Sequence, residues 1–289
     1  MSDTKKIVVL SVVIVFLAAA FFAGLSKSDS SYGMRAVKTV LLNPKYEGSI
    51  ASVVILKSEE KLEFVKRNGC WYCKSGEITS FLNTNLLNEF IEALTEQRNV
   101  YHISDKSKSW GSYGLDAEDS LKLQLFDENS NPLQILYFGN NNFDTKSVYF
   151  RTEKTNTVYK TKDDFYSFLN TNIDFWADMQ ILPEGLFSLK NDSVIRIITD
   201  GKKLDNEQID NYIKRLASMR FSHIVPKDAY DNLPIEKIIR IETNHGDIVL
   251  KFYQKNDAFG VIAESTRVNI HRYCGEISRW TMNIISGLE

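Results

Sequence analysis

The sequence predicts an α+β fold: an N-terminal transmembrane helix followed by two related units of antiparallel β-hairpins packed against amphipathic helices. Three observations carry this expectation. A run of apolar residues, Ile7 to Gly24, stands directly behind Lys5 and Lys6. The body that follows is built from short β-patterned segments joined by turns too short for crossover helices, which makes their pairing antiparallel. Two helical segments, Leu86 to Arg98 and Glu207 to Arg220, carry apolar residues at matching positions and sit in a similar order of elements.

The N-terminal run decides the expected compartment. As a helix of roughly 18 residues it would rise about 27 Å, close to the hydrocarbon thickness of a bilayer. A signal peptide has a shorter apolar region of about 7–15 residues. Here the run continues past Ala18-Ala19-Ala20, the candidate cleavage site of the alternative, a cleaved leader. No polar stripe is present to face water. Residues 1–25 are therefore read as a single-pass signal anchor in the cytoplasmic (inner) membrane, with the two lysines on the cytoplasmic side and the body on the periplasmic or other extracytoplasmic side. Residues 26–36, polar and serine-rich at their start, are read as a tether.

Composition narrows the classes further. The 289 residues leave enough sequence after the anchor for one large domain or two small ones. A hydrophobic content of 43% supports a packed core rather than disorder. With 35 basic and 37 acidic residues, the charge balance gives no case for nucleic acid as a partner. Three cysteines are too few, and odd in number, for a disulfide framework.

The first unit, residues 37–189, opens with a hairpin of Ser52–Lys57 and Lys61–Arg67. Asn68-Gly69 follows, a pair that tolerates two positive φ angles and so marks a tight turn. Cys70 to Lys74 should then return against the preceding strand. The helix from Leu86 to Arg98 presents Leu87, Phe90, Ile91 and Leu94 on one face, with Asn85 as the expected N-cap. Trp110 to Asp116 reads as a loop. Two further hairpins, Leu121–Asp127 with Leu133–Gly139 and Ser147–Glu153 with Thr157–Thr161, precede an expected helix from Lys162 to Asn170, with Asp163 or Asp164 near its start.

The second unit, residues 190–289, repeats the order with one difference. Its first strand, Ser193–Thr199, is expected to pass through a charged loop straight into the helix. Aligned without gaps, Phe90 faces Tyr212, Ile91 faces Ile213, Leu94 faces Leu216 and Arg98 faces Arg220. A hairpin spans Ile238–Gln254 with His245-Gly246 at its turn. A second pairs Ala258–Glu264 with Arg267–Cys274, and a helix forms the C-terminus.

Several stretches together resemble one known family. They are Gly69-Cys70-Trp71, Ser112 to Asp116, Ile135 to Asn140, Ser147 to Arg151, Thr157 to Thr161 and Ile173 to Leu182. In order and spacing this set is similar to the DUF4340 family of membrane-tethered extracytoplasmic α+β proteins. The resemblance spans Gly69 to Leu182. It implies an accessory role beside ABC-type transport systems of the gliding-motility auxiliary type, and it brings no catalytic residues. Cys70 and Cys73 around the family-like Trp71 depart from the family pattern.

Those cysteines are the candidate site. C-x-x-C spacing suits a redox dithiol or a zinc site, and Cys70, Cys73, His271 and Cys274 together make a Cys₃His composition known for structural zinc. Against both, a strand after a tight turn sends Cys70 and Tyr72 to one face and Trp71 and Cys73 to the other. The remaining reading makes the cysteines small packing residues and Trp71 the core contact for the first helix. The histidines, His102, His223, His245 and His271, are scattered, and no P-loop, nucleophile elbow or zinc-protease motif occurs. The expected function is accordingly non-enzymatic, without cofactor: an accessory or assembly component of an ABC-type envelope transport complex. The alternatives are a zinc- or thiol-dependent envelope protein using the four residues above, and a ligand-binding module with a cleft between the units.

Overall fold

The computed structural model describes residues 36–116, 120–139, 147–161, 164–226, 228–267 and 272–287. The expected anchor lies outside the described residues, as do Asp163, His271 and all of the expected tether except Ala36, which opens the first strand. Among the described residues no helix is long and apolar enough to cross a membrane.

The body is mostly antiparallel β-sheet with a few helices. Strands β1 (Ala36–Thr39), β2 (Ser52–Lys57), β3 (Glu60–Arg67), β4 (Cys70–Ser75) and β5 (Ile78–Phe81) lead to helix α1 (Thr84–Thr95). Strands β6 (Arg98–Ser104), β7 (Leu121–Phe126), β8 (Pro132–Gly139), β9 (Val148–Thr152) and β10 (Val158–Thr161) follow. These ten form one sheet in the order β1-β6-β10-β9-β8-β7-β2-β3-β4-β5. The short helix α2 (Ile173–Trp176) precedes β11 (Val194–Thr199), β12 (Lys202–Lys203), helix α3 (Asn206–Ser218), β13 (His223–Val225), β14 (Ile235–Thr243), β15 (Gly246–Lys255), β16 (Ala258–Ser265), β17 (Arg272–Ser278) and helix α4 (Arg279–Ser286). The seven strands β11–β17 make a second sheet, β12-β11-β14-β15-β16-β17-β13. Set beside β3-β2-β7-β8-β9-β10-β6 of the first sheet, it has the same order strand for strand, with every junction antiparallel in both.

That order demands a crossover in each sheet. The segment between β6 and β7 must pass β10, β9 and β8, and the segment between β13 and β14 must pass β17, β16 and β15. Both crossovers are pressed onto the strands they pass. In the first, Trp110, Tyr113 and Leu115 pack with Tyr137, Tyr149 and Val158. In the second, Tyr230 packs with Tyr253, Ile262 and Cys274. Two glycines make the approach possible. A Cβ on Gly139 would lie 1.8 Å from the Tyr113 carbonyl oxygen, and one on Gly260 would lie 2.5 Å from the Tyr230 ring.

Local differences from the sequence reading have identifiable causes. Helix α1 starts at Thr84 with Asn83, not Asn85, as its N-cap; the Asn83 side chain accepts from Leu86 N–H at 3.2 Å. It stops before Arg98 because that residue enters β6 and pairs with Thr39. The expected helix from Lys162 is only a short 3-10 segment, Asp164–Phe168, whose Phe165 and Phe168 rings lie against Phe90. In the second half the loop after β11 is not a plain connection. Asp200 and Gly201 take positive φ angles of 45° and 83°, and Lys202–Lys203 return as a short strand before α3. Asp205 and Gln208 then close a capping box on that helix.

A single hydrophobic core draws on both sheets. At its centre is Trp176, fully buried, with the rings of Phe64, Phe90 and Phe175 at 4.7, 5.4 and 5.3 Å, and its indole N–H donating to the Asn170 carbonyl at 2.7 Å. Trp71 is only half-buried. Trp71 packs against the same core, but the fully buried tryptophan that meets Phe90 of α1 is Trp176. Trp176→Ala is expected to cost about 3–5 kcal/mol of folding stability. Urea denaturation checks this, and a loss below about 1 kcal/mol would remove Trp176 from this role.

Candidate functional site

The β3–β4 turn is the tight turn that Asn-Gly favours, with φ of 49° at Asn68 and 81° at Gly69. It fixes the register Phe64↔Cys73, Val65↔Tyr72 and Arg67↔Cys70. Cys73 therefore shares a face with Phe64 and Ser80, whereas Cys70 and Tyr72 share the other with Phe81. Cys73 is fully buried, its sulfur 3.7 Å from the carbonyls of Ser80 and Phe81. Burial pushes its thiol up to about 12, away from the thiolate that metal binding and nucleophilic attack require. Cys70 is half-buried, 3.8 Å from the Gly185 carbonyl. Cys274 belongs to a different cluster, beneath Tyr230. None of the three cysteines is in a disulfide. The structure thus separates Cys70 from Cys73 by faces, and Cys73 from Cys274 by clusters. Among the described residues, no group of three or more His, Cys, Asp and Glu residues is placed to hold a metal.

The described histidines are each partnered by an aspartate. His102 meets Asp105 at 2.9 Å, His223 meets Asp174 at 2.9 Å and His245 meets Asp192 at 2.8 Å. The last two aspartates lie in the segment joining the sheets, and their histidines lie in the second sheet or its turn. Sequence reasoning missed this segment as a site of buried charge. Asp192 accepts both guanidinium nitrogens of Arg267, at 2.6 and 2.9 Å, and the Ser188 N–H at 2.7 Å; Arg267 also donates to the Leu186 carbonyl at 2.8 Å. Burial alone would raise the Asp192 carboxyl, but Arg267, the Ser188 N–H and His245 outweigh it and hold it below the usual range. Asp178, deeper in the same segment, shifts the other way. Burial raises it despite the N–H groups of Gln180 and Glu184 that it accepts.

A second arrangement is buried between the first crossover and the strands that it covers. The Arg151 guanidinium is sandwiched between Trp110 at 3.8 Å and Tyr137 at 3.7 Å, and its Nε donates to the Leu115 carbonyl at 3.3 Å. Cation and rings together clamp the crossover loop to the sheet. Nearby pairs extend the cluster, with Tyr113 on Tyr149 at 4.7 Å. Two cavities lie among the described residues. One, of about 670 Å³, is walled by Glu59, Glu60, Glu63, Lys61, Lys74 and the turn at Asn170–Ile173. The other, of about 360 Å³, lies between the joining segment at Gln180–Lys190 and the C-terminal end of α3. The first is large enough for a small ligand and is lined mostly by charged and polar residues, their aliphatic stems included.

Fold and site together define an antiparallel α+β protein of two sheets in which Asp174, Asp192 and Arg151 tie connecting segments to strands or turns. Comparison with family models gives the narrower class. The model of the domain of unknown function DUF4340 matches residues 78–233, more than half of the sequence. The protein belongs to the DUF4340 family. The matched region runs from β5 through the joining segment to the second crossover, and so includes parts of both sheets. No curated protein and no solved structure matches it.

Two outcomes follow from the geometry. With a thiol reagent at mildly alkaline pH, Cys70 should react in the native state while Cys73 reacts only on unfolding; labelling followed by peptide mapping distinguishes them. Arg267→Ala strands a buried carboxylate and should cost about 3–5 kcal/mol near neutral pH. Because Asp192 has a lowered folded pKa, its contribution is present above the ordinary carboxylate range and is lost as pH falls through the lowered value. The penalty of Arg267→Ala should therefore shrink in acid, as read by denaturation across pH.

Proposed function

We propose that this protein is a non-enzymatic accessory or assembly component of an ABC-type envelope transport complex, tethered to the cytoplasmic membrane with its body outside the cytoplasm. Family membership is the observation that carries this reading, through the transport link that the resemblance implies. The apolar run Ile7–Gly24 behind Lys5 and Lys6 supports the tether. In the same reading the two sheets are duplicates of one seven-stranded unit. The shared strand order supports this, as do the buried pairs Leu87 and Ile209, Phe90 and Tyr212, and Leu94 and Leu216, which occupy equivalent helix positions.

A second reading, a ligand-binding module, rests on the cavity of about 670 Å³ beside β3 and β4. It places the ligand against the first sheet rather than between the units.

Affinity capture of the full-length protein from detergent-solubilised membranes is expected to retain an ABC permease, its ATPase or another envelope subunit. Recovery of the protein alone from membranes would sink the accessory role. Recovery of the intact protein only in the soluble fraction would sink the tether.

A further inference from the structure

We propose that the Asn68-Gly69 turn is a site of spontaneous covalent modification, at which Asn68 loses its amide nitrogen and becomes aspartate or isoaspartate. The chemistry needs only base and water. The Gly69 nitrogen gives its proton to hydroxide and attacks Cγ of Asn68. The bond between Cγ and Nδ2 breaks and ammonia leaves. The Gly69 nitrogen is then shared by two carbonyl carbons of a five-membered imide, Cγ and the main-chain carbonyl carbon of Asn68. Water opens one of these two bonds to nitrogen. Opening at Cγ leaves aspartate, and opening at the main-chain carbonyl carbon leaves isoaspartate. One water is consumed and one ammonia released, with no change of oxidation state.

Four observations single out this site. Of the asparagines in the sequence only Asn68 precedes glycine, the one residue with no side chain to hinder attack by its own nitrogen. Both residues are exposed. Strand pairing ends at Arg67 and Cys70, and among the described residues no hydrogen bond engages the Asn68 amide or the Gly69 N–H. A Cβ placed on Gly69 meets nothing within 4 Å, so there is room for the imide and for water. Another turn provides the contrast. Asn244, between β14 and β15, has its Oδ1 held by the Ser193 N–H at 3.0 Å and is followed by His245.

The turn also sets the pace. Its two left-handed residues are pinned between paired strands, so the folded turn offers the Gly69 nitrogen and Cγ fewer relative orientations than the unfolded chain does. The folded protein reacts more slowly than the unfolded one, yet faster at Asn68 than at its other asparagines. The two products differ in consequence. Asp-Gly suits this turn as well as Asn-Gly does. Isoaspartate puts an extra methylene into a two-residue loop that sets the register of β4, and so loosens the strand that buries Tyr72 and Cys73.

The test is incubation of the full-length protein at neutral and mildly alkaline pH, followed by peptide mapping with isoaspartate detection. The amide-to-acid mass gain is expected first in the peptide carrying Asn68, as both products, and sooner at higher pH. Asn68→Gln, which would need a six-membered ring, should suppress conversion at that position. Three results overturn the proposal: conversion spread evenly over the asparagines, a rate indifferent to pH, or an intact Asn68 in the folded protein after the unfolded protein has converted and other folded-state asparagines have reacted.

Discussion

The structure turns on a strip of backbone seven residues long, Trp176 to Leu182, that is hydrogen-bonded on both of its sides. On one side it extends the first sheet past β5: Asn83 N–H donates to the Trp176 carbonyl and Asp178 N–H to the Phe81 carbonyl, both at 2.8 Å. On the other it pairs with the segment that follows α3. Ile181 N–H donates to the Met219 carbonyl at 2.9 Å and Phe221 N–H to the Met179 carbonyl at 2.7 Å. Buried backbone polar groups must be paired, and this strip pairs those of both halves at once. Around it the side chains close the seam. Trp176 fills the space under α1, Phe81 meets Tyr273 edge-on at 5.5 Å, and the Tyr273 hydroxyl donates to the Ile181 carbonyl at 2.7 Å. A linker with no partners would leave two sheets; this one leaves a single core.

Seen from the strip, the polar clusters have a common task. Asp174 receives the Ile224 N–H and His223, and Asp192 receives Arg267 and His245. Each is an acid of the joining segment held by groups of the second sheet, one before the strip and one after it. Of these contacts only Arg267 with Asp192 is a buried ion pair, which adds little net stability over an apolar packing but is intolerant of misalignment. Their contribution here is positional: they fix where the strip enters and leaves. The Arg151 sandwich does the same for the first crossover, holding a loop against strands it cannot hydrogen-bond as a ladder.

How much of this the sequence discloses depends on the range of the forces involved. Hairpins are legible because they are local. Asn68-Gly69 dictates its own turn, and the alternation after it puts Cys70 and Cys73 on opposite faces. Helix faces are legible too, since Leu87, Phe90 and Leu94 advertise their burial by spacing. What stays hidden is set by contacts distant in sequence. Nothing near Trp176 marks it as the central ring rather than Trp71, because its neighbours Phe64 and Phe90 come from other elements. Asp192 looks like any loop aspartate until Arg267 arrives from 75 residues away. The short strand β12 fails for a different reason: two lysines carry no alternation, and only the Asp200-Gly201 turn betrays them.

The crossovers also bear on the order in which the fold is completed during synthesis. Ser104 of β6 pairs with Val158 of β10, so the partner of β6 is made about 50 residues later, a delay of several seconds at ribosomal speeds. Until then β6 has only β1 beside it, and α1 has part of its core missing. The same delay recurs in the second half, where β13 must wait for β17. A nascent polypeptide of this design therefore presents two successive unpaired edges to solvent. A holding factor that shields extended, unpaired strands would act most usefully in those two intervals.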